Sequence, residues 1–430
     1  MLSGKLAGQT RVMLILGLLA VIIVISGVHQ RVVAKEEAYD ALKVFTEVLT
    51  HVENNYVEST ESKALIYGAI QGMLGTLDPH SSFLPPEVYK EMQVETQGSF
   101  GGLGIEITVR DHHLTVVAPI DGTPAQRAGI QAGDHIIRID DAPTKDMTLV
   151  DAVRKLRGPK GSQVIVTILR EGREPFEVSI TRDIIEVKSV RSADLIENGV
   201  GYIRLVSFQE RTARDLAEAL TTLKEQGMRG LILDMRNNPG GLLNQAVLTA
   251  DLFLEQGKEI VSTEGRVKNQ NHRFSDDHGN PETLPMVVLV NKGSASASEI
   301  VAGALQDHQR AILIGTSTFG KGSVQTVIPL NDGSGLRLTT AKYFTPKGRA
   351  IHESGLTPDI VVEPVKPATT AQTPIDQQGK TIGEQEGDPS RPLGHGPPDP
   401  KQDPQFGRAV EVLKAILLYE RPQGGTVASN

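Results

Sequence analysis

Cysteine is missing from all 430 residues, which removes disulfides, thiolate catalysis and cysteine-ligated metal or iron–sulfur sites together. A basic excess is missing too. The chain carries 44 Lys and Arg against 52 Asp and Glu, a formal net charge of −8, so composition offers no nucleic-acid surface. Metal spacing is absent around His80, which has no second histidine or carboxylate suitably placed. The one local His/Asp cluster (His272, Asp276, Asp277, His278) sits among glycine and polar residues and reads as a solvated loop. Large apolar residues almost vanish from 366–402, a run of Pro, Gly, Gln, Thr, Asp and Glu that cannot build a core. No metal or cofactor is implied.

Elsewhere an apolar content of 39% suffices for real cores, and ~150 residues per domain gives about three domains. Near the N-terminus, Lys5 and Arg11 precede an uncharged apolar segment, 12–28, of 17 residues. At ~1.5 Å per residue it spans roughly 26 Å, against a ~30 Å hydrocarbon core. An inner-membrane anchor and a cleaved signal peptide both fit; either exports the remainder of the chain and keeps the positive flank inside.

Residues 36–58 and 63–77 carry apolar side chains at helical spacing (Leu42, Phe45, Leu49, Val52, Tyr56; then Leu65, Ile66, Ala69, Ile70, Met73, Leu74), a helical pair stopped by Pro79. From 98 to 183, alternating strands, turn signals and two short helices form a self-contained unit. From 184 to 365, buried strands alternate with helices, an α/β signature. A helical stretch, 404–420, comes after the polar run on an exposed tether, and its stripe of Phe406, Val410, Leu413 and Leu417 needs something to pack against. The expected domains are therefore 1–35 (cytoplasmic tip and anchor or signal), 36–97, 98–183, 184–365, 366–403 (linker) and 404–430.

The chemistry concentrates in 285–327, PMVVLVNKGSASASEIVAGALQDHQRAILIGTSTFGKGSVQTV. Its pattern puts Ser296 at the mouth of a helix and Lys321 on the loop after the next strand, along one sheet edge. Ser296 and Glu299 also spell a capping box, a sufficient structural reason for both. The GTSTFGK run imitates a phosphate loop, but Gly322 stands where Ser or Thr should bind Mg²⁺ and strand replaces helix. A lysine held between glycines in a partly dry place has a lowered pKa, as a Ser–Lys dyad requires.

Four motifs carry a family resemblance: GSASASEIVAGALQD, TFGKGSVQ, DMRNNPGG (234–241), and the GGLGI (101–105) with TPAQRAGIQAGD (123–134) of the 98–183 unit. That unit resembles a PDZ domain, and the chain as a whole resembles the C-terminal processing peptidases, tail-specific serine proteases with a PDZ domain inserted before a crotonase-like α/β core. The resemblance implies Ser296 as nucleophile, Lys321 as general base and Gln325 as the residue orienting the lysine. It further implies an oxyanion hole from the Ala297 amide and an amide at Gly240 or Gly241, the two glycines remaining equivalent. Gly101, Gly102, Leu103, Gly104 and Ile105 stand where PDZ domains bind a terminal carboxylate, successive amides holding the carboxylate while the next strand edge pairs with the peptide. A plain tight turn would also explain GGLG.

The reading is an exported serine endopeptidase of the periplasm, tethered to the inner membrane, acting on proteins or peptides with accessible apolar C-termini. A homodimer and an envelope adaptor protein are further candidate partners; nucleic acid is not. The rival from another class is a PDZ scaffold that binds tails without cutting, which would not need Ser296, Lys321 and Gln325 together. An acyl-CoA enzyme is a third reading, on the crotonase-like core alone.

Overall fold

The computed structural model describes residues 39–110, 113–120, 122–145, 147–275, 281–352, 354–365 and 396–419. The anchor candidate at 12–28, Asp276, Asp277 and His278 of the polar loop, and most of the expected linker lie outside them, as does the side chain of Val150. Among the described residues no helix is long and apolar enough to cross a membrane, and no group of three His, Asp or Glu could hold a metal.

Contacts divide the chain into two units, 1–85 and 86–430. The first holds helix α1 (39–55), α2 (Ser62–Gly75) and a short strand β1 (Ser82–Leu84). α2 stops before Pro79, and the Asp78 carboxylate then takes the N–H groups of His80 and Ser81, each at 2.8 Å. Tyr67 of α2 meets Phe83 of β1 edge-on, with ring centroids 4.6 Å apart. Tyr39, Leu42 and Val48 of α1 are exposed.

The second unit opens with α3 (Pro86–Gln97), where proline suits the first helical position. The chain then passes through β2 (Ser99–Gly102), β3 (Ile105–Arg110), β4 (His113–Pro119), α4 (Pro124–Arg127), β5 (His135–Ile139), β6 (Ala142–Pro143), α5 (Leu149–Leu156), β7 (Gln163–Leu169), β8 (Phe176–Thr181) and β9 (Asp183–Glu186). Strands β3-β4-β5-β7-β8 form one antiparallel sheet, with β6 beside β5. Period-two alternation builds its core: Val164, Val166 and Ile168 point in, against Leu114, Val116, Ile136, Ile139 and Leu156. β2 and β9 pair with each other (Ser99 opposite Glu186), so this unit hangs from a ribbon made of its own two ends.

The remainder supplies β10 (Val190–Ile196), β11 (Val200–Leu205), α6 (Thr212–Glu225), β12 (Gly230–Asp234), α7 (Leu243–Asp251), β13 (Glu259–Gly265), β14 (His272–Ser275), β15 (Met286–Val290), α8 (Ala297–Asp307), β16 (Ile312–Gly315), β17 (Ser323–Pro329), β18 (Gly335–Phe344), β19 (Ile360–Val361) and α9 (Pro404–Tyr419). The main sheet runs β10-β11-β12-β15-β16-β19, parallel except at β10. A parallel sheet that grows in one direction through right-handed crossovers puts all its crossover helices on one face. That face is the large core, where Leu231, Leu233, Val288, Val290 and Leu313 meet Leu216 and Leu220 of α6, Ala246 of α7, and Ile300 and Val301 of α8.

Among the described residues, α9 is the helix that covers the opposite face. Val200, Tyr202, Ile232, Val287, Leu289 and Ile314 on that face pack against Phe406, Val410, Leu413 and Leu417. The stripe expected on an exposed tether is thus the lid of the central sheet. Gly230 makes room for it: a Cβ there would lie 3.1 Å from Leu413. A second sheet, β17-β18-β13-β14, carries the segment after Lys321.

Candidate active site

β15 is buried along its whole length and releases the chain at Asn291 into a tight turn that ends in α8. The turn is fastened to the loop after β12. The Ser294 hydroxyl donates to the Met235 carbonyl at 2.8 Å, and the Asn238 carbonyl accepts from the Ala295 amide (3.0 Å) and the Ser298 hydroxyl (2.9 Å). Asn291 adds a pair of bonds to Asn237, 2.9 Å each. These bonds bring the DMRNNPGG loop against the serine turn. Gly240 makes the approach feasible: with φ +96°, its Cβ position lies 2.6 Å from the Ala295 carbonyl oxygen and 2.8 Å from the Ala297 nitrogen. No side chain fits there.

Ser296 itself has φ 55° and ψ −112°, a region that costs a non-glycine residue about 1–3 kcal/mol and persists only where neighbours impose it. The imposing neighbour is Glu299. Its carboxylate is fully buried and accepts four hydrogen bonds: the Ser296 amide at 2.8 Å, the Thr318 hydroxyl at 2.5 Å, the Gly320 amide at 2.8 Å and the Lys321 amide at 2.9 Å. One carboxylate therefore joins the serine turn to the lysine loop. The capping-box arrangement expected of Ser296 and Glu299 is there, the Glu299 amide also meets the Ser296 carbonyl at 2.9 Å, and the same carboxylate serves in addition as a bridge between two loops. Sequence reasoning missed this role. The available signal was a carboxylate within ASEIVAGAL, a helical run otherwise so apolar or small that it had to be buried.

Lys321 is half-buried at the start of the segment leading into β17. Burial holds its ammonium below the ordinary lysine value; the Arg337 charge pushes the same way and Glu299 opposes both. Among the described residues, neither the Ser296 hydroxyl nor the Lys321 ammonium enters a hydrogen bond or ion pair. Gln325 lies on β17 opposite Thr339 of β18. Its amide nitrogen donates to Thr339 Oγ1 (2.9 Å) and Ser323 Oγ (3.1 Å), while its amide oxygen is buried with no donor. A buried orphan acceptor is rare enough to ask for a donor that arrives during function.

The two candidate glycines differ. The Gly240 amide is committed to Asn238 Oδ1 at 2.9 Å. Gly241 is exposed, and among the described residues neither its amide nor that of Ala297 has an acceptor.

In the 98–183 unit the five glycine-motif residues separate. Gly101 and Gly102 belong to β2, opposite Ile184 and Asp183, and Gly101 packs on the Gly158 carbonyl. Leu103 is buried in the core, Gly104 turns the chain with φ 77°, and Ile105 opens β3. The Leu103 carbonyl takes the Ala125 amide and the Gly104 carbonyl takes that of Ile120, both at 2.9 Å. The amides of Leu103 and Gly104 have no acceptor among the described residues. Among the described residues β3 is an edge strand, bonded to β4 alone.

Comparison with known proteins agrees with this architecture. A model of peptidase family S41 matches residues 199–362, a PDZ-domain model matches 115–170, and a model described as the activating protease CtpB N-terminal domain matches 23–88. The carboxy-terminal-processing protease of Bartonella bacilliformis is 45% identical over 399 residues, covering 90% of this chain and 91% of that protein. The carboxyl-terminal-processing protease of Synechocystis sp. is 44% identical over 321 residues, covering 73% and 74%. A solved photosystem II D1 C-terminal processing protease is 35% identical, with a TM-score of 0.42 over 73% of this chain and 85% of that one. The S41 match spans the sheet whose edge holds Ser296 and Lys321, and the Bartonella protein is matched almost end to end: the chain belongs to peptidase family S41, among the carboxy-terminal processing proteases.

Proposed function

We propose that this serine peptidase captures an apolar C-terminal tail on its PDZ domain and cuts the same polypeptide with a Ser296–Lys321 dyad carried on a crotonase-like α/β core. Neutral Lys321 takes the Ser296 proton as Oγ bonds to the peptide carbonyl carbon. The oxyanion is held by the Ala297 and Gly241 amides, Gly241 rather than Gly240 because the Gly240 amide already serves Asn238. Collapse breaks the C–N bond, the amine leaves with the proton from Lys321, and a lysine-activated water frees the acyl-enzyme. Gln325 orients the lysine ammonium through its unpaired amide oxygen. Tail capture falls to the Leu103 and Gly104 amides with the free edge of β3, the carboxylate meeting the amides and the peptide extending the sheet.

The observation that carries the reading is the buried Glu299 carboxylate, which ties the Ser296 and Lys321 amides to one point. The test uses the purified full chain and a protein substrate ending in apolar residues. Ser296→Ala and Lys321→Ala are each expected to abolish cleavage while tail binding persists. Undiminished cleavage in either variant overturns the dyad.

The same reading places the protein in the periplasm, held at the inner membrane by 12–28, with the exposed face of α1 available for a homodimer and an envelope adaptor delivering substrates. Fractionation of the tagged full chain should recover it with inner membranes. Recovery in the soluble cytoplasm would refute the placement, and a monomer by light scattering would refute the dimer. Co-purification of tagged chain with no envelope protein under crosslinking would refute the adaptor.

A further inference from the structure

We propose that helix α9 is a positioning element for the oxyanion loop, acting through a clamp of Asp403 and Gln405 on Arg236. The proposal rests on the assignment of Gly241 to the oxyanion hole. Arg236 sits in the DMRNNPGG loop between the end of β12 and Asn238, and only 8% of it is exposed. Its Nη2 donates to Asp234 Oδ2 at 2.7 Å and its Nε to Asp234 Oδ1 at 3.0 Å. Its Nη1 reaches Asp403 Oδ2 at 2.8 Å and Gln405 Oε1 at 3.0 Å. Asp403 lies 167 positions along the chain from Arg236, so the far end of the sequence completes this side chain's partners.

The clamp is rigid on the α9 side. Asp403 Oδ1 accepts the Phe406 amide at 3.0 Å, capping the helix, and Gln405 Nε2 donates to the Val362 carbonyl at 2.8 Å. Phe406 meets Tyr202 edge-on with centroids 5.3 Å apart, and the Tyr202 hydroxyl donates to Asp234 Oδ2 at 3.0 Å. On the other side, Arg236 governs the loop through its own peptide. Its carbonyl takes Arg204 Nη2 at 2.8 Å, and the nearby Met235 and Asn238 carbonyls hold the serine turn. Asn238 Oδ1 then holds the Gly240 amide, one residue before Gly241.

Charge bears on the same point. Arg204 and Arg236 stand against Asp234 and Asp403 in this cluster. Arg236 stays protonated: burial alone would lower its pKa, but Asp234 and then Asp403 raise it above the ordinary value. Without Asp403 the guanidinium is left under-neutralised and one of its donors unsatisfied, a strong incentive to swing out and drag the loop. Covering the sheet needs only the apolar stripe of α9. A buried, forked ion pair at its first turn adds directional constraint instead.

The experiment compares the full-length protein with Asp403→Asn, and with Leu220→Ala in α6 as a destabilised control remote from the loop. Asp403→Asn is expected to lower kcat about tenfold or more with KM nearly unchanged. It should weaken binding of a peptide boronate, which forms a tetrahedral adduct at serine, by a similar factor. Leu220→Ala should lose at least as much thermal stability yet keep kcat, and Asp403→Glu should restore part of the loss. A folded Asp403→Asn protein with kcat and boronate affinity within about twofold of the parent overturns the proposal. Should Asp403→Asn not fold, Gln405→Ala leaves every charge in place and reads the same clamp: a several-fold fall in kcat supports it, and an unchanged kcat overturns it. If Ser296→Ala and Lys321→Ala abolish cleavage while the folded clamp variants keep kcat within about twofold of the parent, this inference alone fails. If those two variants still cleave, the dyad reading fails first.

Discussion

Glu299→Gln is the substitution most informative about the site, because the wild-type carboxylate does something an amide cannot. Its two oxygens each accept two donors, the Ser296 and Lys321 amides on one and the Thr318 hydroxyl and Gly320 amide on the other. A glutamine keeps one such oxygen. Turned toward Ser296 and Lys321, it presents its NH₂ to Thr318, whose oxygen can accept but whose O–H then lacks an acceptor, and to the Gly320 amide, which can only donate. Turned the other way it strands two amides, so the first orientation wins. The cost is two buried donors without an acceptor, the Gly320 N–H and the Thr318 O–H, whose oxygen already takes the Leu356 amide, about 1–3 kcal/mol each, plus about 1 kcal/mol for each of the two bonds that lose charge assistance, or about 4–8 kcal/mol in all. Scanning calorimetry should show the main transition fall by roughly 10 °C or more. Activity should fall further, on the order of 100-fold in kcat/KM, because the strained serine turn and the lysine loop share this anchor. Residual activity carries a second signature. Glu299 raises the Lys321 pKa, so neutralising it must shift the acid limb of the pH–rate profile to lower pH. A folded variant with kcat/KM and midpoint near those of the parent, or an acid limb displaced upward, would refute the argument.

Arg337→Gln should act in the opposite sense, since its charge lowers the Lys321 pKa: the acid limb of kcat/KM moves to higher pH, and Arg337→Lys leaves it in place. Gly240→Ala should abolish cleavage and cost more than about 1 kcal/mol of stability, because φ is +96° and the added Cβ would press on the serine turn; a urea titration alongside the activity assay checks both. Gln325→Met gives up the hydrogen bonds from the side-chain nitrogen to Thr339 and Ser323 along with the unpaired oxygen, so thermal stability should fall modestly, by about 1–3 kcal/mol, while kcat falls much further than that loss of folded protein accounts for, which separates a functional amide from a structural one.

Much of the architecture was legible in the residues because it comes from periodicity. Leu216, Leu220 and Leu223 at helical spacing, and the alternating Val164, Val166 and Ile168, announce the faces they bury. Ser296 and Lys321 were legible through small-residue turns that local physics explains in other ways. What stayed hidden was long-range. The partner of the α9 stripe lies across a compositionally empty stretch, and no local pattern says which face of which sheet it covers. Glu299 looked like a cap because its short-range bond to the Ser296 amide is a capping bond; its bonds to Gly320 and Lys321 depend on a loop two elements away. Gly101 and Gly102 looked like part of a binding loop, whereas the ribbon they form with β9 is set by residues more than half the unit distant.

The strain at Ser296 and the placement of the Lys321 backbone have one origin. Glu299 fixes the backbone of Ser296 in an unfavourable region and the backbone of Lys321 at the same carboxylate, so neither main chain is free to travel. The side-chain groups of the proposed dyad and its orienting amide, by contrast, are unbonded among the described residues: the Ser296 hydroxyl, the Lys321 ammonium and the Gln325 amide oxygen. Under the proposed assignment, activation therefore needs no rearrangement of the serine turn. What remains adjustable is the Lys321 side chain, whose flexible four-carbon stem can be reoriented without moving the main chain that Glu299 holds. The backbone strain at Ser296 is therefore part of the fold itself, held by Glu299 with no substrate present, and it costs nothing further when one arrives.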